Sequence, residues 1–304
     1  MRICSLLPSA TEIVYALGLE DQLVGVSHEC DFPPEAVAKP IMIRSVFDSS
    51  GLSSLEIDRA VMERLRRGEG VYTIDRDRLR QADPDLILTQ ELCDVCAVPY
   101  TEVKRAVEQL GGRPRLLPLS PALLGDVLLD IRQVGEATGR RDQAESLVAR
   151  LQSRIDRVTA RAARVVERPK TFCLEWADPL YVSGHWIPEM VEMAGGTDGL
   201  GTIGKPSVSI EWDRVARYAP EVVILMPCGF DVERTVRELP LLTKLPGWSD
   251  LPAVKRGLVY AVNGSAYFNR SGPRLVDGLE LLAKLLHPEL FPGAISDEAA
   301  RRLS

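Results

Sequence analysis

The chain has 304 residues, of which 45% are hydrophobic and 26% are charged, and its net charge is −6. These are ordinary globular values, and they exclude collagen, coiled coil and disorder as descriptions of the whole chain. The acidic balance and the lack of a long basic run argue against a nucleic-acid-coating protein. At about 150 residues per domain, the length favours two domains.

The first residues, MRICSLLPSATEIVYALGLE, contain only a short apolar run, which Pro8 interrupts. A secretory signal needs a longer apolar stretch and a small-residue cleavage site, and no apolar run reaches the roughly 18–20 residues of a membrane span. Six cysteines are too few for a disulfide scaffold. We therefore expect a monomer without membrane insertion. It is cytoplasmic as the sequence stands, and periplasmic or extracytoplasmic if a leader has been removed.

The first half of the chain alternates predicted strands and helices. Strands are predicted at residues 2–7, 23–27, 85–89 and 115–119, and helices at residues 9–17, 55–66, 75–82 and 101–110. Ser9 and Glu12 have the spacing of a capping box at the start of the first helix. A further helix begins after Ser120-Pro121 and ends near Gly139.

A long helix is predicted over residues 140–164, because Ala144, Leu147, Leu151, Ile155 and Val158 follow a helical period. At 1.5 Å per residue its length is about 38 Å. The segment contains no Gly or Pro, so it could join two lobes as a stiff rod.

The second half repeats the alternation. Strands are predicted at residues 171–176, 221–226 and 258–262, and helices at 188–194, 210–218, 232–239 and 274–286. Each half is therefore predicted to be an α/β lobe with a mainly parallel sheet. The predicted domains are an N-terminal lobe at 1–139, the joining helix at 140–168 and a C-terminal lobe at 169–304.

Candidate binding residues follow the predicted strands, because ligands of open α/β sheets bind at the carboxyl ends of the strands. In the first half the predicted strands run out into residues 8–11, 28–31 and 90–93, and in the second half they deliver Trp176, Cys228 and residues 263–268. The aromatic and imidazole side chains of the second half that belong to this set of cleft residues are Trp176, Tyr181, His185, Trp186, Tyr267 and Phe268. Aromatic faces with a few polar groups suit a large, flat organic ligand. The sequence contains neither a GxGxxG nor a GxxxxGK[ST] motif, which leaves dinucleotide and P-loop sites unsupported.

A second cluster consists of His28, Cys30, Cys93 and Cys96, which also follow strands of the first half. Three thiolates and an imidazole could hold zinc or an iron–sulfur centre. However, the C-x-x-C spacing occurs once, and residues two apart in an extended segment lie roughly 6–7 Å apart. We predict reduced thiols without a structural metal, and a metalloprotein or redox enzyme is the alternative.

Four other residues are interpreted as structural. Trp212 is predicted to be a packing residue and Trp248 a surface plug in a Pro- and Gly-rich loop. Cys4 and Cys173 fall inside predicted strands and are interpreted as small buried apolar residues.

The segments LLPSATEIVYALGLEDQLVGVSHECDFP, ADPDLILTQELC and EWADPLYVSGHWIPEMVEMAGG resemble the helical-backbone class of substrate-binding proteins, class III of the periplasmic-binding-protein-like folds. The resemblance is strongest to the cobalamin-binding proteins of ABC importers, and ferric-siderophore and haem binders share the fold. It covers nearly the whole chain. The opening segment and GHWIPEMVEMAGG are the most specific parts.

This resemblance implies a non-catalytic protein with two Rossmann-like lobes, one long joining helix and a ligand cleft between the lobes. Carried over by position, the residues that would line the cleft are Pro8, Ser9, His28, Glu91, Trp176, Tyr181, His185, Trp186 and Tyr267. The resemblance also implies acidic residues that dock on an ABC importer permease, at Asp75 or Asp77 in the first lobe and Glu211 or Asp213 in the second.

The expected ligand is cobalamin or a related corrinoid, with no further cofactor required. A ferric siderophore or haem is the alternative within the class. The expected mechanism is enclosure: aromatic faces cover the macrocycle, polar groups meet its edges, and His28 or His185 approaches the central metal. The family does not generally need the histidine–cysteine set, which marks a departure from its pattern.

Overall fold

A computed structural model describes residues 1–91, 98–109, 111 and 113–303. The chain divides into two compact units. The first unit comprises Met1–Leu52, Arg59–Pro121 and Gly125–Arg150, and the second comprises Ser53–Asp58, Ala122–Leu124 and Leu151–Ser304. The boundary between Arg150 and Leu151 falls inside the long helix, which runs over Arg141–Ala162.

The first unit is built on a six-stranded sheet. Its strands are β1 (Ile3–Ser5), β2 (Leu23–Ser27), β3 (Ile41–Ser45), β4 (Tyr72–Ile74), β5 (Leu86–Thr89) and β6 (Arg115–Pro118). Their order is β4-β3-β2-β1-β5-β6, and all pairs are parallel except β3 with β4. The prediction of a mainly parallel sheet is therefore confirmed for this unit. The strand order reverses beside β1, which is where open α/β sheets form a crevice.

Six α-helices lie within the described residues between Met1 and Ala162. They are α1 (Pro8–Ala16), α2 (Ser54–Arg66), α3 (Arg76–Ala82), α4 (Tyr100–Gln109), α5 (Leu124–Thr138) and α6 (Arg141–Ala162). Apolar residues of β1, β3, β5, α3 and α4 form one buried cluster around the sheet. Cys4 is fully buried in β1, as predicted, and burial raises the pKa of its thiol.

The start of α1 differs from the prediction. Pro8 occupies the first turn, and the N-cap residue is Leu7, which makes no side-chain cap. The predicted capping box of Ser9 and Glu12 is wrong, because both residues already lie inside the helix and are buried. The fixed φ of proline is already suited to the first helical position, so the helix begins one residue earlier.

The second unit is built on another six-stranded sheet. Its strands are β7 (Thr171–Trp176), β8 (Tyr181–Val182), β9 (Val208–Ser209), β10 (Val222–Leu225), β11 (Val259–Val262) and β12 (Ala300–Leu303), in the order β12-β11-β10-β7-β8-β9. Only β7–β10 and β10–β11 are parallel, whereas the other three pairs are antiparallel. The prediction of a mainly parallel sheet is wrong here, because short antiparallel strands extend both edges.

The second unit also contains six shorter helices. They are α7 (Ile187–Met193), α8 (Trp212–Tyr218), α9 (Val232–Thr243), α10 (Pro252–Lys255), α11 (Gly264–Tyr267) and α12 (Leu275–Leu286). Trp212 packs in the core of this unit, as predicted, and its indole N–H donates to the Pro246 carbonyl at 2.7 Å. Trp248 lies beside it, with ring centroids 6.0 Å apart, and is only 6% exposed. Trp248 is therefore a core residue and not a surface plug.

The second half of α6 is tied to α12 by an ion cluster. Nε and Nη2 of Arg154 donate to the Glu280 carboxylate at 3.0 and 2.7 Å, and Nη2 also contacts the Asp277 carboxylate. The cluster is partly exposed. Along α6 the periodic apolar side chains are buried, as the sequence predicted.

Within the part of the chain that the structure describes, no helix combines the length and the apolar character needed to cross a bilayer.

Candidate functional site

His28 lies at the carboxyl end of β2 in the first unit, half-buried. Its Nε2 accepts a hydrogen bond from the backbone N–H of Ser45 at 3.3 Å, and its ring lies 6.1 Å from the ring of Tyr72. With Nε2 as the acceptor, a neutral imidazole carries its proton on Nδ1. Nδ1 is buried, and no partner for it is found in the described ranges. Hence His28 does not present a free lone pair.

Side chains at the carboxyl edge of the first sheet form hydrogen bonds with one another. The hydroxyl of Thr11 contacts Ser5 Oγ at 2.8 Å and Cys30 Sγ at 3.1 Å, and Tyr72 donates to Glu29 at 3.1 Å. Cys30 is 3% exposed. Its thiol thus lies inside the unit and not at an open strand end.

The other predicted residues of this edge differ in exposure. Pro8 is half-buried, Ser9 is buried and Glu91 is exposed. The backbone N–H of Glu91 donates to Ser120 Oγ at 3.0 Å. The structure therefore leaves Pro8 and Glu91 accessible at the strand ends, whereas Ser9 packs within α1.

The cysteine pair of the alternative metal site, Cys93 and Cys96, lies outside the described residues. Among the residues that are described, no three His, Cys, Asp or Glu side chains gather so as to hold a metal ion. The predicted absence of a structural metal therefore stays a prediction, and the four-residue site stays its alternative.

The second unit has an aromatic edge, which we define as the half-buried side chains of Trp176, Tyr181 and Tyr267. Trp176 ends β7 and lies in register with Tyr181 of β8. Tyr267 ends α11, which follows the carboxyl end of β11. Because β7, β10 and β11 are parallel, the carboxyl ends of β7 and β11 lie on one side of this sheet.

Phe230 supports this edge and was not identified from the sequence. It is buried, its ring lies 5.3 Å from that of Trp176 at 58°, and the guanidinium of Arg234 lies 3.9 Å from its centroid. Such tilted aromatic pairs and cation–π contacts fix a ring in place. Phe230 comes two residues after Cys228, in a loop that periodicity alone does not distinguish.

Trp186 is placed differently from the other predicted aromatics. Only 6% of it is exposed, and its indole N–H donates to the Phe268 carbonyl at 2.8 Å. Little of the ring is left for a ligand, so Trp186 fixes the start of α7 and the neighbouring His185. The rings of Trp176 and Tyr181, by contrast, are half-buried.

His185 precedes Trp186 and is half-buried, with the two rings 5.6 Å apart. Two further polar side chains lie near the strand ends of this sheet. Asn269 donates to the Met226 carbonyl at 3.3 Å, and Cys228 is a half-buried free thiol just beyond β10. Neither was named as a binding residue from the sequence.

The four predicted docking acids fall into two groups. Asp75 caps α3 and pairs with Arg78, and Asp77 pairs with Arg80 at 2.9 Å. Glu211 precedes α8 and Asp213 lies in its first turn, and both are exposed. All four carboxylates are therefore exposed, and the first two also pair with arginines of α3.

Comparison with known proteins identifies the family of this chain. The model of the family described as periplasmic binding protein matches residues 3–266. The chain is 26% identical over 297 residues to an uncharacterized ABC transporter substrate-binding lipoprotein of Bacillus subtilis (strain 168), covering 95% of this chain and 81% of the relative. It is 23% identical to the vitamin B12-binding protein of Vibrio cholerae (strain ATCC 39541), covering 94% and 88%.

Among solved structures, the periplasmic heme-binding protein RhuT from Roseiflexus sp. RS-1 superposes with a TM-score of 0.70 at 21% identity, covering 95% of this chain and 98% of that one. This likeness concerns the fold. The chain belongs to the periplasmic binding protein family. The resemblance predicted from the sequence is confirmed, and so is the fold class of two α/β lobes.

Proposed function

We propose that this protein is a non-catalytic binding protein for a corrinoid, with cobalamin as the first candidate. The observation that carries the proposal is the aromatic edge of the second unit. Trp176 and Tyr181 lie side by side in register, and Phe230 supports Trp176 from below. Flat aromatic faces stabilise a macrocycle through contact area and stacking.

The polar groups near these rings favour a neutral ligand edge. Tyr181 and Tyr267 offer hydroxyls. Such groups pair with the amide side chains at the periphery of a corrinoid, whereas the carboxylates of haem require cations. The name of the Vibrio cholerae relative supports the same ligand, and that of the Roseiflexus structure supports haem as the alternative.

The test is a binding panel with cyanocobalamin, ferric haem and a ferric siderophore, measured by calorimetry. We expect cyanocobalamin to bind most tightly at one site, and Trp176→Ala to weaken it by roughly 1–3 kcal/mol through loss of the platform. Trp176→Phe should retain most of the affinity. Tyr260→Ala removes an aromatic ring from the body of β11 and should leave the affinity unchanged.

Two outcomes would contradict the proposal. Tighter binding of haem or siderophore than of every corrinoid would assign the protein to the alternative within the family. A protein purified from its source with the absorption spectrum of an iron–sulfur centre would support the metalloprotein alternative. That the ligand lies between the two lobes stays a prediction.

We further propose that the loaded protein delivers its ligand to an ABC importer permease, as the name of the Bacillus subtilis relative suggests for that protein. Glu211 and Asp213 are the better docking candidates, because all four carboxylates are exposed but Asp75 and Asp77 already pair with arginines. An importer partner requires an extracytoplasmic location, in keeping with the family's description. The cytoplasmic location expected from the sequence stays a prediction that cell fractionation can test.

A further inference from the structure

The backbone of His185 is held in an unusual conformation. Its φ is +49°, in the left-handed region. The backbone N–H of His185 donates to the Lys205 carbonyl at 2.6 Å, and its own carbonyl accepts from Gly204 N–H at 2.9 Å. Residues other than glycine occupy this region rarely, and they stay there only where surrounding contacts impose it.

Close packing at Gly184, the preceding residue, keeps the backbone of His185 in this conformation. Gly184 donates its N–H to Ser207 Oγ at 3.1 Å, and a Cβ at Gly184 would lie 2.3 Å from the Lys205 carbonyl oxygen. The two chain segments are thus packed backbone against backbone. Glycine at position 185 would form this turn at a lower conformational cost. The turn by itself therefore does not account for an imidazole side chain at this position.

The imidazole of His185 packs against a neighbouring ring but forms no hydrogen bond among the described residues. Its ring packs beside Trp186, at 5.6 Å and an interplanar angle of 32°. In the described part of the chain, Nε2 is buried without a hydrogen-bond partner, and Nδ1 is not among the buried atoms. Burial lowers the pKa of His185, which keeps the ring neutral at neutral pH. A neutral imidazole is the commonest metal ligand in proteins.

We propose that His185 coordinates the central metal of the bound corrinoid through Nδ1. The inference rests on the proposed function. This coordination is a ligand exchange at the metal. The lone pair of Nδ1 forms a bond to the metal, and the bond from the metal to an axial water breaks. Water leaves as a neutral molecule, the ring proton stays on Nε2, and the oxidation state of the metal does not change.

The geometry selects His185 over His28. The Nε2 of His28 already accepts from the Ser45 N–H, and its Nδ1 is buried. Coordination by His28 would require breaking a backbone hydrogen bond. The third histidine, His287, contacts the Gly195 carbonyl through Nε2 at 3.0 Å and is itself 6% exposed.

The experiment compares aquocobalamin, whose axial water exchanges, with cyanocobalamin, whose cyanide does not. Binding of aquocobalamin should shift its visible absorption to that of an imidazole complex, whereas cyanocobalamin should bind without this shift. His185→Gly should abolish the shift. Because glycine relieves the positive φ, this variant should fold at least as well as the natural protein.

His185→Asn, which tolerates the left-handed backbone, should lack the shift, and His28→Gln should retain it. Aquocobalamin binding without any shift in the natural protein, or a shift that persists in His185→Gly, would overturn the assignment. If no corrinoid binds at all, the proposed function itself fails.

Discussion

The carboxyl edges of the two sheets are held together by different chemistry. In the first unit, side chains bind one another: Thr11 contacts Ser5 and Cys30, and Tyr72 donates to Glu29. In the second unit, several hydrogen bonds of this edge end on backbone carbonyls, as where Cys228 N–H donates to the Glu175 carbonyl at 3.1 Å and the Trp186 indole N–H donates to the Phe268 carbonyl at 2.8 Å. Thr11, Cys30 and Tyr72 of the first edge are therefore occupied by other side chains, whereas the rings of Trp176, Tyr181 and Tyr267 are half-buried.

This difference explains why similar sheets present different surfaces. A backbone hydrogen bond fixes a loop without using its side chain, so Trp176, Tyr181 and His185 can be committed to binding. Where side chains themselves satisfy buried polar groups, as at Thr11 and Cys30, removing one leaves its partner unpaired. Binding specificity should accordingly depend more on the second edge than on the first.

The largest effect on stability should come from replacing one glycine of each unit by alanine, which adds a Cβ. A Cβ at Gly184 meets backbone atoms of Lys205, Pro206 and Ser207 within 2.6 Å, whereas a Cβ at Gly25 meets the Met42 side chain. Backbone cannot move aside as a methionine can. Gly184→Ala should lower the free energy of unfolding by about 3–5 kcal/mol and Gly25→Ala by about 1–3 kcal/mol, measured by urea denaturation.

The control is Gly125→Ala in α5, where a Cβ meets nothing within 4 Å. In a helix this change should raise stability by about 0.5–1 kcal/mol. Equal losses at Gly184 and Gly25 would contradict the contrast between a rigid backbone edge and an adjustable side-chain edge.

The two units also treat their partly buried carboxylates differently. In the first unit, Asp130 of α5 is 5% exposed, and its Oδ2 has no hydrogen-bond partner among the described residues. Burial, with the neighbouring charge of Asp126, raises the pKa of Asp130 to about 7. In the second unit, the hydrogen bond from Arg154 lowers the pKa of Glu280. The two carboxylates should make stability depend on pH in opposite directions.

Asp130→Asn should stabilise the protein above neutral pH. Because the pKa of Asp130 is higher in the folded protein than in the unfolded chain, the natural protein loses stability as the pH rises from about 4 to about 7. The variant should gain about 4 kcal/mol at pH 8 and nothing at pH 4. Urea denaturation at both values measures it, and an equal gain at both would show that ionisation is not the cause.

Glu280→Gln should have the smallest effect and the opposite sign. A lowered folded-state pKa contributes stability above the unfolded pKa, and this stability is lost as the pH falls through the folded pKa. Since the side chains are partly exposed, the loss at pH 7 should be about 1 kcal/mol and should decrease with salt. Glu233→Gln, which breaks a more exposed pair with Arg301, should cost less. A larger loss in acid than at pH 7 would contradict this account.

Local patterns predicted the regular elements well. The periodic apolar residues of α6 and the buried runs of β2 and β7 gave their bounds to within two residues, because strong periodicity reflects one buried face. The strands β3, β4, β8, β9 and β12 were missed. Four of them have only two to four residues, which is too short to show a period, and β3 has five. They exist because neighbouring strands offer them backbone partners.

The sequence by itself indicated the family, through the resemblance of its opening and GHWIPEMVEMAGG segments to known members. Periodicity and strand order along the chain determined the two α/β lobes and the strand end that bears Trp176. Only the tertiary structure decided which of the predicted side chains stay available. It buried Trp186 against the Phe268 carbonyl and Cys30 against Thr11, and it placed Phe230 behind Trp176. Burial and hydrogen-bond partners come from residues distant in sequence, so no local pattern records them.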